Sequence, residues 1–181
     1  SVVGEDFPKE TIALFKERGI NTQGLQIKNG EKTFFWSGKY HQDMNTRDTL
    51  DTQLNVLESF DPIVPDSYKD CDILMLGNLT PSVQMKVIHQ MKSRPKLIVL
   101  DTMNFWMEIA MEDLKKVIKE IDVLTINDEE ARLLSGVNSL RKAAKIILEM
   151  GPKYLIIKKG EHGALLFGEN NIFYAPALPL E

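Results

Sequence analysis

Cysteine is almost missing. Cys71 is the one thiol in 181 residues, so the chain cannot close a disulfide within itself, which fits a reducing, cytoplasmic setting. Histidine is scarce as well: His41, His89 and His162 are scattered, and with a single cysteine they make no zinc-ligand spacing. No apolar run approaches the roughly 20 residues that span a bilayer, which excludes a helical membrane protein. A basic excess is absent: 22 Lys and Arg stand against 26 Asp and Glu, a formal charge of -4, with an isoelectric point near 5.5. The electrostatic footprint of a nucleic-acid binder is therefore lacking. No Walker loop, no Ser-His-Asp order and no GxGxxG after the first strand occurs either.

What is present describes an ordinary globular chain, 43% hydrophobic and 27% charged, with a mean hydropathy of -0.19. Its length suits one large domain, or one domain with a small appendage. Residues 7–19 read as a helix, with Pro8 in the first turn and Gly19 as the stop. Leu25 to Lys28 reads as a short strand, Asn29-Gly30 as a hairpin turn, and Thr33 to Tyr40 as the return strand. The polar stretch His41 to Thr52 shows no helical period, and Gln53 to Phe60 resumes a strand-like alternation. Segment 25–60 thus forms a mostly β appendage whose Phe34, Phe35, Trp36 and Tyr40 need a ligand or partner to cover them.

From residue 72 strands and helices alternate. Ile73 to Leu76, Leu97 to Leu100, Val123 to Ile126 and Tyr154 to Ile157 are apolar runs of the kind buried on both faces of a parallel sheet. Thr80-Pro81 opens a helix, and Trp106 to Ile121 keeps helical spacing with Trp106 buried. Asn127 to Ser135 is a short helix stopped by Gly136, and Ser139 caps a helix ended by Gly151. Strands 164–167 and 171–174 close around Gly168 to Asn171. This predicts an α/β fold, a mostly parallel sheet covered by helices on both faces, with 1–24 and 61–181 as the core and 25–60 as a β lid. Ligands in such sheets sit beyond the C-terminal strand ends. Those ends are Gly77-Asn78, Asp101 to Asn104, Asn127 to Glu130 and Lys158 to Gly163.

Each of these has a structural and a functional reading. Asn127-Asp128-Glu129-Glu130 reads as a capping box; it also reads as two oxygen donors, Asn127 and Glu130, beside Mg2+ and a phosphate. Lys158-Lys159-Gly160-Glu161-His162-Gly163 reads as a turn, or as a glycine loop that lets a nucleotide approach while lysines offset its charge. Asp101 after an apolar run suggests a phosphohydrolase nucleophile, but the Asp-x-Asp pattern is broken by Met103. Cys71 and His89 read as structural.

In this order the motifs resemble the ribokinase-like (PfkB) sugar kinase family, along essentially the whole chain. Val2-Val3-Gly4-Glu5-Asp6 is similar to its VG-x-D strand end, Gly19-Ile20-Asn21-Thr22 to its G-I/V-x-T segment, and Asp101-Thr102-Met103-Asn104 to its D-x-N strand end. Asn127 to Glu130 matches N-x-x-E, and Gly160 and Gly163 match the glycines of its nucleotide loop. The resemblance implies ATP and Mg2+ as cofactors and transfer of the γ-phosphate to a hydroxymethyl group of a sugar or nucleoside. It assigns Asn127 and Glu130 to the metal. Asn127, Lys158, Lys159, Gly160, Glu161, His162 and Gly163 would line the nucleotide site, and Trp36, Tyr40 and Asn78 would contact substrate. Lys158 stands where the family has Thr.

The family also opens with a strand carrying a substrate-binding Asp and a Gly-Gly pair, which is not found before Ser1. Its Gly-Ala-Gly-Asp motif, which supplies the general base and an anion hole, would follow a segment like Ala175 to Glu181. The expectation is therefore no catalytic residue within these 181, and no turnover by this chain alone. A homodimer through the lid is expected, with no nucleic-acid or membrane partner. The second functional class is a non-catalytic dimerising module with a vestigial nucleotide site, its aromatic strands pairing two chains.

Overall fold

Local sequence decides most element types in the computed structural model, which describes residues 1–42 and 47–178. The chain divides into two units, Ser1–Ser67 and Tyr68–Glu181. In the first, β1 (Val2–Gly4) leads through α1 (Lys9–Glu17) to β2 (Gln26–Lys28), and the two strands pair in parallel, Val3 opposite Ile27.

That pairing corrects the expected hairpin. The Asn29-Gly30 turn forms, with Gly30 at φ 76°, but Thr33 to Tyr40 does not return along β2. The chain is caught by the end of β1 instead. The Gly30 amide donates to Glu5 Oε2 at 2.8 Å, and the Glu5 amide donates to the Glu31 carbonyl at 3.1 Å. Thr33 is the centre of this junction. Its hydroxyl accepts from the Gly4 amide at 3.0 Å and donates to Asp6 Oδ1 at 2.7 Å, while its amide donates to the same oxygen at 2.7 Å. The Thr33 hydroxyl and amide hold the Asp6 carboxyl below its ordinary range. A Cβ on Gly4 would lie 2.3 Å from the Glu31 carbonyl oxygen, so the glycine of the VG-x-D segment is required by this close approach.

β3 (Phe35–Tyr40) and β4 (Arg47–Gln53) form an antiparallel ribbon. The register slips by one residue between Ser37 (opposite Asp51) and Gly38 (opposite Thr49). β4 falls in the polar stretch that showed no period, whose residues 43–46 lie outside the described residues. A two-stranded ribbon has no buried face, so alternation carries no signal there. Gln53 to Phe60 is not a strand: Asn55–Leu57 makes a 3-10 turn with Asn55 at φ 47°, Asn55 Nδ2 donates to the Thr33 carbonyl at 2.8 Å, and Val56 is buried. Asn is among the residues that tolerate this conformation.

The second unit carries a six-stranded sheet. Its elements are β5 (Ile73–Leu76), α2 (Pro81–His89), β6 (Leu97–Asp101), α3 (Asn104–Ile109), α4 (Met111–Glu120), β7 (Val123–Asn127), α5 (Asp128–Ser135), α6 (Leu140–Leu148), β8 (Tyr154–Lys158), β9 (Ala164–Phe167) and β10 (Ile172–Ala175). The order is β10-β9-β8-β7-β6-β5, with β5 to β8 parallel and the last two strands antiparallel. The expected α/β class with a mostly parallel sheet is what the chain forms. The long helix expected from Trp106 is broken at Ala110, with φ -142°, into α3 and α4, and Trp106 is half-buried while Met107 fills the core.

Burial in this sheet is one-sided. Ile98, Leu100, Leu124, Ile126, Leu155 and Ile157 are buried with Leu114, Val117, Ile118, Ala131, Ala144 and Ile147 of the helices. The register places Ile73, Met75, Val99, Tyr154, Ile156, Leu166 and Phe173 on the other face. There Ile73 is 63%, Met75 59% and Phe173 63% exposed. Ile73 to Leu76 is thus not buried on both faces as expected: Leu76 packs in the core with the helices, whereas Ile73 and Met75 point to the exposed face.

At the N-terminal end of the sheet Asp122 is buried and pins three strands. Its Oδ2 accepts from the Ile98 amide at 2.9 Å and from Arg94 Nη1 at 3.0 Å. Oδ1 lies 3.0 Å from Lys153 Nζ, an ion pair without hydrogen-bond alignment. Burial works against the charge, but the Arg94, Ile98 and Lys153 contacts outweigh it and hold the carboxyl below its ordinary range.

Candidate functional site

The C-terminal ends of β5 to β8 gather the polar residues of the second unit. Where β7 becomes α5, Asn127 is the N-cap. Its Oδ1 accepts from the Glu130 amide at 2.8 Å, and Glu130 Oε2 accepts from the Asn127 amide at 2.7 Å. This is a complete capping box, two orphan helix donors satisfied reciprocally. Glu130 is only 6% exposed, so its carboxylate is fixed in orientation. Asp128 pairs with Arg132 at 2.6 Å, and Gly136 ends the helix with φ 72°.

Lys158, the last residue of β8, is opposite Asn127, and Asp101, the last residue of β6, is opposite Thr125. All four share one face of the sheet. Lys158 Nζ donates to Asp101 Oδ1 at 3.0 Å, bridging across the end of β7.

The loop after β8 spends most of its amides on itself. Lys159 donates to the Gly163 carbonyl at 2.8 Å, His162 to Lys159 at 3.0 Å and Gly163 to Gly160 at 3.1 Å. Among the described residues, the amides of Gly160 and Glu161 make no such bond within the loop. Tyr174 Oη donates to the His162 carbonyl at 2.9 Å and ties the loop to β10. Gly163 has φ 80°, and a Cβ there would meet the Ala175 carbonyl oxygen at 2.0 Å. Packing against β10 therefore accounts for this glycine without any nucleotide. The Glu161 and His162 side chains are each 71% exposed.

Asn78, just after β5, accepts from Trp106 Nε1 at 2.8 Å and donates to Met103 Sδ at 3.1 Å. Gln84 ties the same ends together, donating from Nε2 to the Gly77 carbonyl at 2.8 Å and reaching that of Asp101 at 3.4 Å. Neither Gln84 nor the Lys158–Asp101 pair is apparent from motif spacing. The available signal is a charged residue at the last position of an otherwise apolar strand, which both Asp101 and Lys158 are.

Trp36 and Tyr40 belong to the first unit, on one face of β3 with Gly38 between them. The Trp36 ring lies so close over Gly38 that a Cβ there would meet it at 2.2 Å. Trp36 Nε1 donates to Thr49 Oγ1 at 3.4 Å. Phe34, Phe35, Trp36 and Tyr40 are all exposed.

Among the described residues no three acidic, histidine or cysteine side chains converge as a metal cage. Asn127 and Glu130 are hard oxygen donors at the mouth of a strand end, which suits Mg2+ that keeps waters and takes phosphate oxygens. The residues fit such an ion, and do not fit one enclosed by protein alone.

Compared with known proteins, residues 1–181 match the family described as pfkB family carbohydrate kinase. A cytidine kinase of Thermococcus kodakarensis is 26% identical over 183 residues, covering 99% of this chain and 63% of the relative. A candidate ribokinase II of E. coli, solved with ATP and Mg2+, superposes with a TM-score of 0.78 at 22% identity, over 100% of this chain and 62% of that one. A nucleoside kinase of Burkholderia thailandensis, solved with inosine, gives 0.76 at 16% identity, over 100% and 59%. At these identities the structures show a shared fold. The chain spans about three-fifths of the length of these relatives.

Proposed function

This chain belongs to the pfkB family of carbohydrate kinases, and from that premise we propose that its parent molecule transfers the γ-phosphate of ATP to a hydroxymethyl group of a sugar or nucleoside. The observation that carries the reading is the Asn127–Glu130 capping box at the end of β7, flanked by Lys158. The relatives named cytidine kinase and nucleoside kinase support a small nucleoside or sugar as acceptor.

Phosphoryl transfer depends on positioning and charge stabilisation rather than on covalent help from the protein. In this reading Asn127 and Glu130 orient the oxygens that hold Mg2+ and its waters. An ion held there would supply neutralisation of phosphate charge. Lys158 and Lys159 offset phosphate charge, and the amides of Gly160 and Glu161 donate to the nucleotide, with the side chains of Glu161 and His162 at the rim. Gly163 keeps the loop against β10. Asn78 in the second unit, beside Trp106 and Met103, is a candidate acceptor contact, and in the first unit the exposed rings of Trp36 and Tyr40 are candidates by themselves. Residues 1–24 with 61–181 would act as the core and 25–60 as the lid, in a cytoplasmic enzyme.

These 181 residues contain no Gly-Ala-Gly-Asp sequence, so the assay suited to this chain by itself is binding rather than turnover. A ligand that binds only the folded state stabilises it by about 2.7 kcal/mol at a hundredfold excess over Kd. Mg2+ with ATP is expected to raise Tm, and Mg2+ with sorbitol is not. No shift at millimolar ATP would remove the nucleotide reading.

The exposed aromatics of the β3–β4 ribbon favour a second reading, a homodimer formed by strand addition with a vestigial nucleotide site. Light scattering separates the two: a dimer that ignores ATP supports the second, and a monomer at high concentration removes it.

A further inference from the structure

The Lys158–Asp101 pair lies where a nucleotide's phosphates would arrive, and it is built to be exchanged. β6 and β8 are separated by β7, so the two residues start two strand spacings apart, roughly 10 Å. The lysine stem crosses the end of β7 to close that gap, from its place opposite Asn127 to Asp101, which is opposite Thr125. The side chains are 50% and 28% exposed. Half-exposed pairs of this kind are weak and broken easily. A polyphosphate is a stronger partner for the ammonium than one carboxylate.

Resting on the nucleotide reading above, we propose that Asp101 is an electrostatic latch on Lys158 that makes nucleotide binding depend on Mg2+. Without ligand, Asp101 neutralises Lys158. When phosphates draw Lys158 away, Asp101 is left as an unpaired carboxylate beside them. A metal-free nucleotide, carrying up to four negative charges, is repelled by that carboxylate. A nucleotide arriving with Mg2+ brings the cation that replaces the ammonium as the partner of Asp101. The ion and the phosphates thereby favour each other's binding, as coupling between two ligands requires. Asp101 does not touch the transferred group; it is a positioning residue acting through Lys158 and the ion.

The test is calorimetric titration of ATP into the 181-residue chain, once with Mg2+ and once with EDTA, for the wild type, Asp101→Asn and Lys158→Met. Asp101→Asn keeps the side chain's size, and an unchanged circular dichroism spectrum checks that it folds. It is expected to bind metal-free ATP about fivefold more tightly than the wild type, the scale of a half-exposed ion pair, and to lose most of the gain from Mg2+. Lys158→Met reads the pair from the other side, weakening ATP under both conditions. A merely structural ion pair would change neither the metal-free affinity nor the Mg2+ gain. Wild-type binding with an unaltered Asp101→Asn profile overturns the latch alone. A wild type that binds ATP under neither condition overturns the nucleotide reading, and the latch with it.

Discussion

Asn127 and Glu130 hold each other through two reciprocal hydrogen bonds of 2.8 and 2.7 Å, side chain to backbone in both directions. The structural and functional readings of this motif are therefore one geometry: the cap that starts α5 also fixes the two oxygen-bearing side chains at the strand end.

The two roles separate by substitution. Asn127→Ala removes an N-cap and is expected to cost about 1 kcal/mol, seen as a lower Tm. Glu130→Gln preserves the box, since Gln also serves at this position, and is expected to leave Tm nearly unchanged. It should weaken ATP binding with Mg2+ at least tenfold, because a neutral amide is a poor ligand for a hard cation. Wild-type affinity in Glu130→Gln would remove the carboxylate from the metal site.

Gly163 and Gly160 differ although both match one motif. Gly163→Ala places a Cβ 2.0 Å from the Ala175 carbonyl oxygen and is expected to cost about 2 kcal/mol or more through displaced backbone. Gly160, at φ 54°, sits in the left-handed region, where Ala is expected to cost about 1 kcal/mol. Thermal unfolding of the two variants gives the order; the reverse order would show that packing against β10 does not set the Gly163 requirement.

Asp122 sets an acid limb. Its carboxyl lies below the ordinary value in the folded state. Its stabilisation is therefore complete above the unfolded carboxylate value, about 3.9, and is lost as pH falls through the lower folded value. Asp122→Asn is expected to cost about 2 kcal/mol at pH 7, and the gap to wild type should close below about pH 4. Urea melts at pH 7, 5 and 3 measure it. A gap that does not narrow would mean the loss comes from packing instead.

The exposed sheet face is expected to promote self-association at high concentration. Met75 and Phe173 are 59% and 63% exposed on it, and a contiguous apolar patch of this kind promotes association. Met75→Lys with Phe173→Lys is expected to reduce light scattering at high concentration while shifting stability by less than about 0.5 kcal/mol. The opposite pattern, lower stability with unchanged scattering, would mean these residues pack internally.

Sequence alone determined the α/β alternation of the second unit, since each strand carries an apolar run and the helices their stripes, but not the break at Ala110 that divides α3 from α4. It determined the Asn127–Glu130 box too, because a capping box spans four consecutive residues and depends on nothing distant. The partner of β2 was decided only by tertiary structure: the Asn29-Gly30 turn is local, but whether the chain leaving it pairs with β2 or docks on β1 depends on Thr33 meeting Gly4 and Asp6 at the end of β1 and Asn55 from a second segment. The β4 strand escaped for the same reason, being stabilised by cross-strand backbone bonds and not by a buried face. Asp101 and Lys158 stand 57 positions apart, and only the parallel order β6-β7-β8 brings them together. Short-range hydrogen bonding and hydrophobic period are written along the chain, whereas contacts between strand ends arise from the order in which the strands assemble.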